Sequence, residues 1–301
     1  MTQGRKSGRR RTTRSGSNPV SRLVTSLPKP PPRRHAHSGK AIKPRDPALL
    51  SKLAGEVARR EFTSDQIAAY QREIHQQTLQ LSRSIDQPNF TRLGREDLMR
   101  MIHMYDDCFF GGKIIPTAKA EGLSFGLSSR MTRVAGKLVT HYPDGNHQGR
   151  RQFELVLSST LLFQTFEDVD RTVEVTGRPC RDRLEAMQRV AEHELVHLVE
   201  MLIWNDGNCS EPRFQSIAYR YFRHTDYRHD LITQRERALL KFNIRVGDFV
   251  HFRHRGQILL GRVNRITRRA TVLVESPQGE RFSDGGQYLR FYVPLEQLTK
   301  A

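Results

Sequence analysis

The stretch DRLEAMQRVAEHELVHLVEMLIW, residues 182–204, decides how the rest of the chain is read. Leu184, Met187, Val190, Ala191, Leu195, Leu198 and Leu202 recur at helical spacing. This predicts one long helix that begins near Asp182, docks one face on a core, and ends before Asn205-Asp206-Gly207-Asn208. Inside it, His193-Glu194-Leu195-Val196-His197 is an HExxH pattern. One turn separates the imidazoles, so both project to the same side and can take two corners of a zinc tetrahedron. Glu194 lies beside them, placed to accept a proton from a water that the metal has made more acidic. That chemistry hydrolyses an amide.

Zinc in such a site needs a third protein ligand, with the fourth position left open. Cys209 follows His197 by 12 residues, directly past the turn that ends the helix, and a thiolate is an excellent zinc ligand. The same residue also reads as a small buried side chain. His224 and His229 compete for the position if the next helix brings them back, and one of them could serve instead as an oxyanion donor. Glu200, one turn beyond His197, ranks last, because it reaches the metal only if the helix turns differently.

Working outward, Ser210 with Glu211 and Pro212 reads as the cap and first turn of a helix carrying Phe214, Ile217, Ala218, Tyr221 and Phe222. Upstream, residues 47–94 show helical periodicity (Leu49, Leu50, Leu53, Val57; then Ile67, Tyr70, Ile74, Leu81 after a cap-like Thr63-Ser64-Asp65) and read as packing helices. A further helix runs from about Arg95 and stops at Gly111-Gly112. Runs at Leu123–Leu127, Gly136–Tyr142 and Gln152–Leu157 predict a small antiparallel sheet, and Ser158 an N-cap for a helix containing Leu161, Leu162 and Phe166. Residues 167–180 read as a polar connection. From Val246 five short strands are expected: Asp248–Phe252, Ile258–Ile266, Ala270–Val274, Glu280–Phe282 and Tyr288–Val293. Their size and turn spacing suit a small SH3-like barrel over 245–301.

The net charge of +18 gains meaning when it is located. Residues 1–45 carry 13 Lys and Arg with no acid, and residues 245–301 carry 10 against 5 acids, leaving 27 of each sign between them. A neutral centre flanked by two basic segments is how an electrostatic footprint for nucleic acid would be appended to a catalytic region. The N-terminal segment 1–46, rich in Arg, Ser and Pro, cannot bury enough apolar surface to order itself, so a disordered basic arm is expected. Candidate phosphate contacts in the C-terminal segment are Arg253, Arg255, Arg262, Arg265, Arg268 and Arg269. No apolar run approaches the length of a membrane span and no apolar stretch follows the basic N-terminus, so a cytoplasmic, nucleoid-associated protein is expected. Three cysteines without a CxxC pair argue against a disulfide framework or a zinc ribbon.

The ordered set Tyr105, Phe109-Phe110-Gly111-Gly112, Ser124-Phe125-Gly126-Leu127, Phe153–Ser158 and His193–His197 resembles the SprT-like metalloproteases, a group that includes the Spartan proteases of DNA–protein crosslinks. The resemblance covers about residues 95–223. It implies a zincin-like α+β domain, placed at 95–235, with zinc on His193 and His197 and Glu194 as base. In that family a third His completes the site, followed by an aromatic, for which Phe214 stands here. Ser210 occupies the expected His position, and Cys209 is its neighbour. Either Cys209 replaces the His, or the domain is a catalytically degenerate one that binds nucleic acid or protein. The family resemblance thus implies a zinc endopeptidase acting on proteins associated with nucleic acid, DNA rather than RNA.

Overall fold

The computed structural model describes residues 21–22, 46–145 and 150–301. Its centre is the helix α6, Arg183–Trp204. The Asp182 carboxylate accepts from the Glu185 amide at 2.8 Å to start it, and Asn205, at φ 56°, ends it in the left-handed conformation that Asn tolerates. The apolar stripe predicts one docked face, yet the helix is buried almost all round: Val196, Val199, His193 and Glu194 are covered as well as Leu184 and Leu195. A helix enclosed on every side belongs to the interior of a domain, and its polar side chains must then find partners there.

The helices α1 (Pro47–Arg59), α2 (Ser64–Leu81), α3 (Arg95–Tyr105) and α4 (Ile114–Glu121) precede it. Thr63 and Gln66 form a reciprocal capping box at the start of α2, with bonds of 2.9 and 3.2 Å. After α3 the chain widens into a π-helical turn, Asp106–Phe110, and stops at Gly111, where φ is 65°. The Asp106 carboxylate then accepts from the Ile114 and Ile115 amides at 3.0 and 2.8 Å and starts α4, a helix with no cap residue next to it to announce it. The helix α5 (Ser159–Gln164) has its expected cap, Ser158, accepting from Leu161 at 3.1 Å, but ends before Phe166. In α7 (Pro212–Phe222) the cap position is Glu211 rather than Ser210.

The strands β2 (Leu123–Ser128), β3 (Gly136–His141) and β4 (Gln152–Ser158) form a three-stranded sheet in the order β2-β4-β3. The expected all-antiparallel sheet is corrected here: β3 pairs antiparallel with β4, but β2 pairs parallel with it, Leu123 facing Phe153. Turning back from β3, β4 runs in the direction of β2, and because it inserts between its predecessors instead of following β3 outward, it lies beside β2 and pairs parallel with it. Side-chain alternation reveals strands but not their order. The connection 167–180, read from the sequence as polar, contains a hairpin of β5 (Val173–Val175) and β6 (Arg178–Cys180), turned by Thr176 and Gly177 at φ 57° and 72°. A two-residue strand β7 (Arg228–His229) joins it, and β1 (Ser21–Arg22) pairs with β7. The rest of the arm expected over 1–46 lies outside the described residues, apart from Asp46, which caps α1 through the Ala48 amide at 2.9 Å.

The C-terminal segment is an antiparallel sheet of β8 (Phe249–His254), β9 (Gln257–Ile266), β10 (Ala270–Arg281), β11 (Gln287–Val293) and β12 (Thr299–Lys300), ordered β11-β10-β9-β8-β12. The expected strands Ala270–Val274 and Glu280–Phe282 are parts of one strand, interrupted by a register shift between Glu275 and Glu280. Pro277, which has no amide hydrogen to donate, sits in that shift. Thr299–Lys300 supplies the fifth strand. An unexpected helix, α8 (Gln234–Phe242), places Ala238 in the sheet's own apolar cluster with Val250, Val263, Val272 and Val293. A separate cluster surrounds α6. No helix among the described residues is long and apolar enough to cross a membrane.

Candidate metal centre

One turn of α6 sets His193 above His197, and their Nε2 atoms face each other at 3.1 Å. The turn 205–211 then folds back and delivers Cys209, so that ligand atoms of His193, His197 and Cys209 all lie within 4.8 Å of one another. The separation of the two nitrogens suits a shared ion: two atoms at about 2.0–2.1 Å from a tetrahedral zinc stand roughly 3.3 Å apart. Two buried imidazoles and a thiol also form a donor set that zinc favours. Phe214 of α7 packs against both rings, with centroids 4.8 Å from His193 and 4.4 Å from His197.

Burial controls the charges here. It pushes the His193 ring well below its ordinary value, with His197, His224 and His229 adding repulsion, and pushes His197 down to about 3. Both rings are therefore neutral near pH 7 and keep lone pairs for a cation. Burial drives the Glu194 carboxyl the other way, well above the carboxylate range, against a hydrogen bond from the Leu138 amide. One Glu194 oxygen has no hydrogen-bond partner.

That placement depends on Gly136. Strand β3 crosses α6 so closely that a Cβ at Gly136 would lie 2.6 Å from Glu194 Oε1 and 2.8 Å from Val190 Cγ1. We expect Gly136→Ala to cost about 1–3 kcal/mol of stability by overpacking, read as a lowered urea midpoint, and to displace the Glu194 side chain. Unchanged stability would show that the strand simply moves aside.

The competing ligand candidates have other work. Glu200 pairs with Arg213 at 2.7 Å, and Arg213 also holds Asp206 at 3.0 Å. His224 Nε2 meets Glu192 Oε2 at 2.8 Å. Burial outweighs the attraction of that carboxylate and holds His224 below its ordinary value, so its neutral ring donates to Glu192. His229 accepts from the Leu231 amide through Nδ1 at 3.2 Å. Among the described residues, neither histidine belongs to the metal-ligand group.

Glu192 itself joins Gln71 (2.8 Å), the Tyr105 hydroxyl (2.7 Å) and Arg189 (2.6 Å) beneath the site. Although desolvation opposes it, Arg189 and His224 hold the Glu192 carboxyl down to about 2. A depressed folded value means stability that is complete above about pH 4.5 and is lost as pH falls toward 2. We expect unfolding free energy to fall across that window, and the part due to Glu192, at most about 1.4 kcal/mol per pH unit, to vanish in Glu192→Gln. Equal pH slopes for the two proteins would refute this.

The six arginines singled out from sequence do not form one patch. Arg253 and Arg255 lie at one end of the β8–β9 hairpin, and Arg265, Arg268 and Arg269 at the other end of β9. The ten residues of β9 span roughly 30 Å, at about 3.3 Å each. Arg262, midway, is paired with Asp284 at 2.9 Å. Gly136, read from the sequence only as the start of a strand, carries no local mark of its approach to Glu194. No family model, curated protein or solved structure matches the chain.

Proposed function

We propose that the protein is a zinc-dependent endopeptidase of the SprT-like, zincin type, acting on proteins attached to DNA, with the C-terminal sheet serving as an SH3-like module. The observation that carries this reading is the convergence of His193, His197 and Cys209 beside Glu194. The two imidazoles and the thiolate would hold zinc, which supplies Lewis acidity that polarises a carbonyl and makes water a better nucleophile. Glu194 takes the proton of the attacking water and passes it to the leaving amine, a role suited to a carboxyl that burial has made more basic. The basic segments supply attraction to phosphates.

One observation favours a second reading, a metal-bearing but non-catalytic binding module. His193, Glu194, His197 and Cys209 are only 0%, 1%, 1% and 6% exposed, whereas a catalytic zinc site keeps one position open to substrate. Zinc analysis of the purified chain, together with cleavage of a protein crosslinked to DNA, separates the two. Stoichiometric zinc and Glu194-dependent cleavage support the peptidase; stoichiometric zinc and no cleavage of any crosslinked protein support the binding module.

A further inference from the structure

A cavity of about 1270 Å³ lies between the helical region and the C-terminal sheet, larger than the roughly 300–1,000 Å³ that a drug-sized ligand fills. Its walls come from the β2–β3 loop (Arg133), the segment 230–239 including the start of α8 (Arg235), the entry to β8 (Arg245) and the far end of β9 (Arg265). Arg171 also lines it, but its charge is met by Asp230 at 3.0 Å and Glu236 at 2.7 Å. The other four guanidiniums are on exposed residues and none makes an ion pair among the described residues. Arg171 balances only one of its two carboxylate partners, so the lining as a whole carries a clear positive excess, which attracts a polyanion into the concave surface.

The remaining lining narrows the choice of anion. Thr132, Thr172 and Thr233 supply hydroxyls, that of Thr267 being given to the Arg269 carbonyl at 3.1 Å, and Leu231, Val246 and Ile266 supply apolar patches, but no aromatic ring among the described residues lines the cavity. Hydroxyls and guanidiniums suit phosphate oxygens and apolar patches suit sugars, while without an aromatic ring the bases are not held by stacking, so the contacts fall on the backbone. Leu231 in this lining donates its amide to His229 Nδ1 at 3.2 Å.

We propose that this cavity is the nucleic-acid seat of the protein: a single DNA strand crosses it with its phosphates on Arg133, Arg235, Arg245 and Arg265. The assignment deepens the peptidase reading and rests on its nucleic-acid part. The distal pair Arg253 and Arg255, at the opposite end of β9, stays out of contact.

The test is fluorescence anisotropy of a labelled oligothymidine with the full chain, across a salt series, comparing Arg245→Ala/Arg265→Ala with Arg253→Ala/Arg255→Ala. Both pairs remove two exposed charges, and equal melting temperatures confirm that the fold survives. The cavity pair is expected to weaken binding at least about tenfold and to lower the slope of log K against log salt by about 1.4, at 0.7 per lost phosphate contact. The distal pair should bind as the parent chain does. Equal losses in both pairs, or loss in the distal pair alone, would overturn the seat. So would displacement of the oligothymidine by polyglutamate as readily as by unlabelled strand, since that is attraction to charge without recognition of phosphate. Glu194-dependent cleavage with intact binding in the cavity pair would sink the seat and leave the peptidase standing. Cavity-dependent binding without cleavage would do the reverse.

Discussion

Glu194→Gln is expected to leave zinc in place and to lower hydrolysis by about 10²–10⁴-fold, the usual contribution of a positioned general base. The substitution preserves volume in a site where volume is constrained, since Gly136 approaches the side chain so closely that it has no room for a Cβ. A glutamine oxygen can still accept from the Leu138 amide, so the side chain keeps its orientation. What it loses is the ability to take a proton. Burial has raised the Glu194 carboxyl, which strengthens it as a base while leaving its neutral form easy to accommodate. An uncharged amide at this position should therefore cost little stability. Zinc content by atomic absorption and cleavage of a DNA-crosslinked protein are the two readouts. Bound zinc with undiminished cleavage would remove Glu194 from the base role. Loss of zinc together with activity would instead make it a positioning residue for the two histidines.

The helix that carries this chemistry was legible in the sequence because its signals are local: a cap at Asp182, periodic leucines and a terminal Asn205. The features that complete the site are not local. Gly136 is required by a contact with a residue 58 positions later, and nothing in its neighbours marks it. The parallel pairing of β2 with β4 follows from where β4 inserts, which alternation cannot encode. Burial of the whole circumference of α6 also escapes a moment-based reading, since Glu192 and Arg189 look like a solvated face until their mutual ion pair and the Tyr105 hydroxyl are seen. Cationic residues show the same limit in reverse. Counting charge over 245–301 marks the segment as basic, yet Arg262 is neutralised by Asp284, and Arg265 gains its neighbours Arg133 and Arg235 only from the fold.

Cys209→Ala is expected to lower zinc affinity by more than the about 10–100-fold that follows loss of a group merely supporting a ligand. The reason lies in the short path from His197: the turn passes so near the helix end that a Cβ at Gly207 would stand 3.5 Å from His197 Nδ1. This turn leaves Cys209 facing the two rings, whereas Glu200 and His224 are committed to Arg213 and Glu192. Cobalt substitution gives a readout independent of activity. A thiolate ligand produces a near-ultraviolet charge-transfer band that imidazole does not, so the band should be present in the parent chain and absent from both Cys209→Ala and Cys209→His. The histidine variant should nevertheless recover metal binding, because the turn already aims this position at the site. It should also shift the acid limb of hydrolysis to lower pH, since exchanging an anionic thiolate for a neutral ring leaves the metal more electron-poor. A cobalt band that survives in Cys209→Ala would show that the thiol is packing rather than ligation. The third ligand would then have to come from elsewhere in the chain.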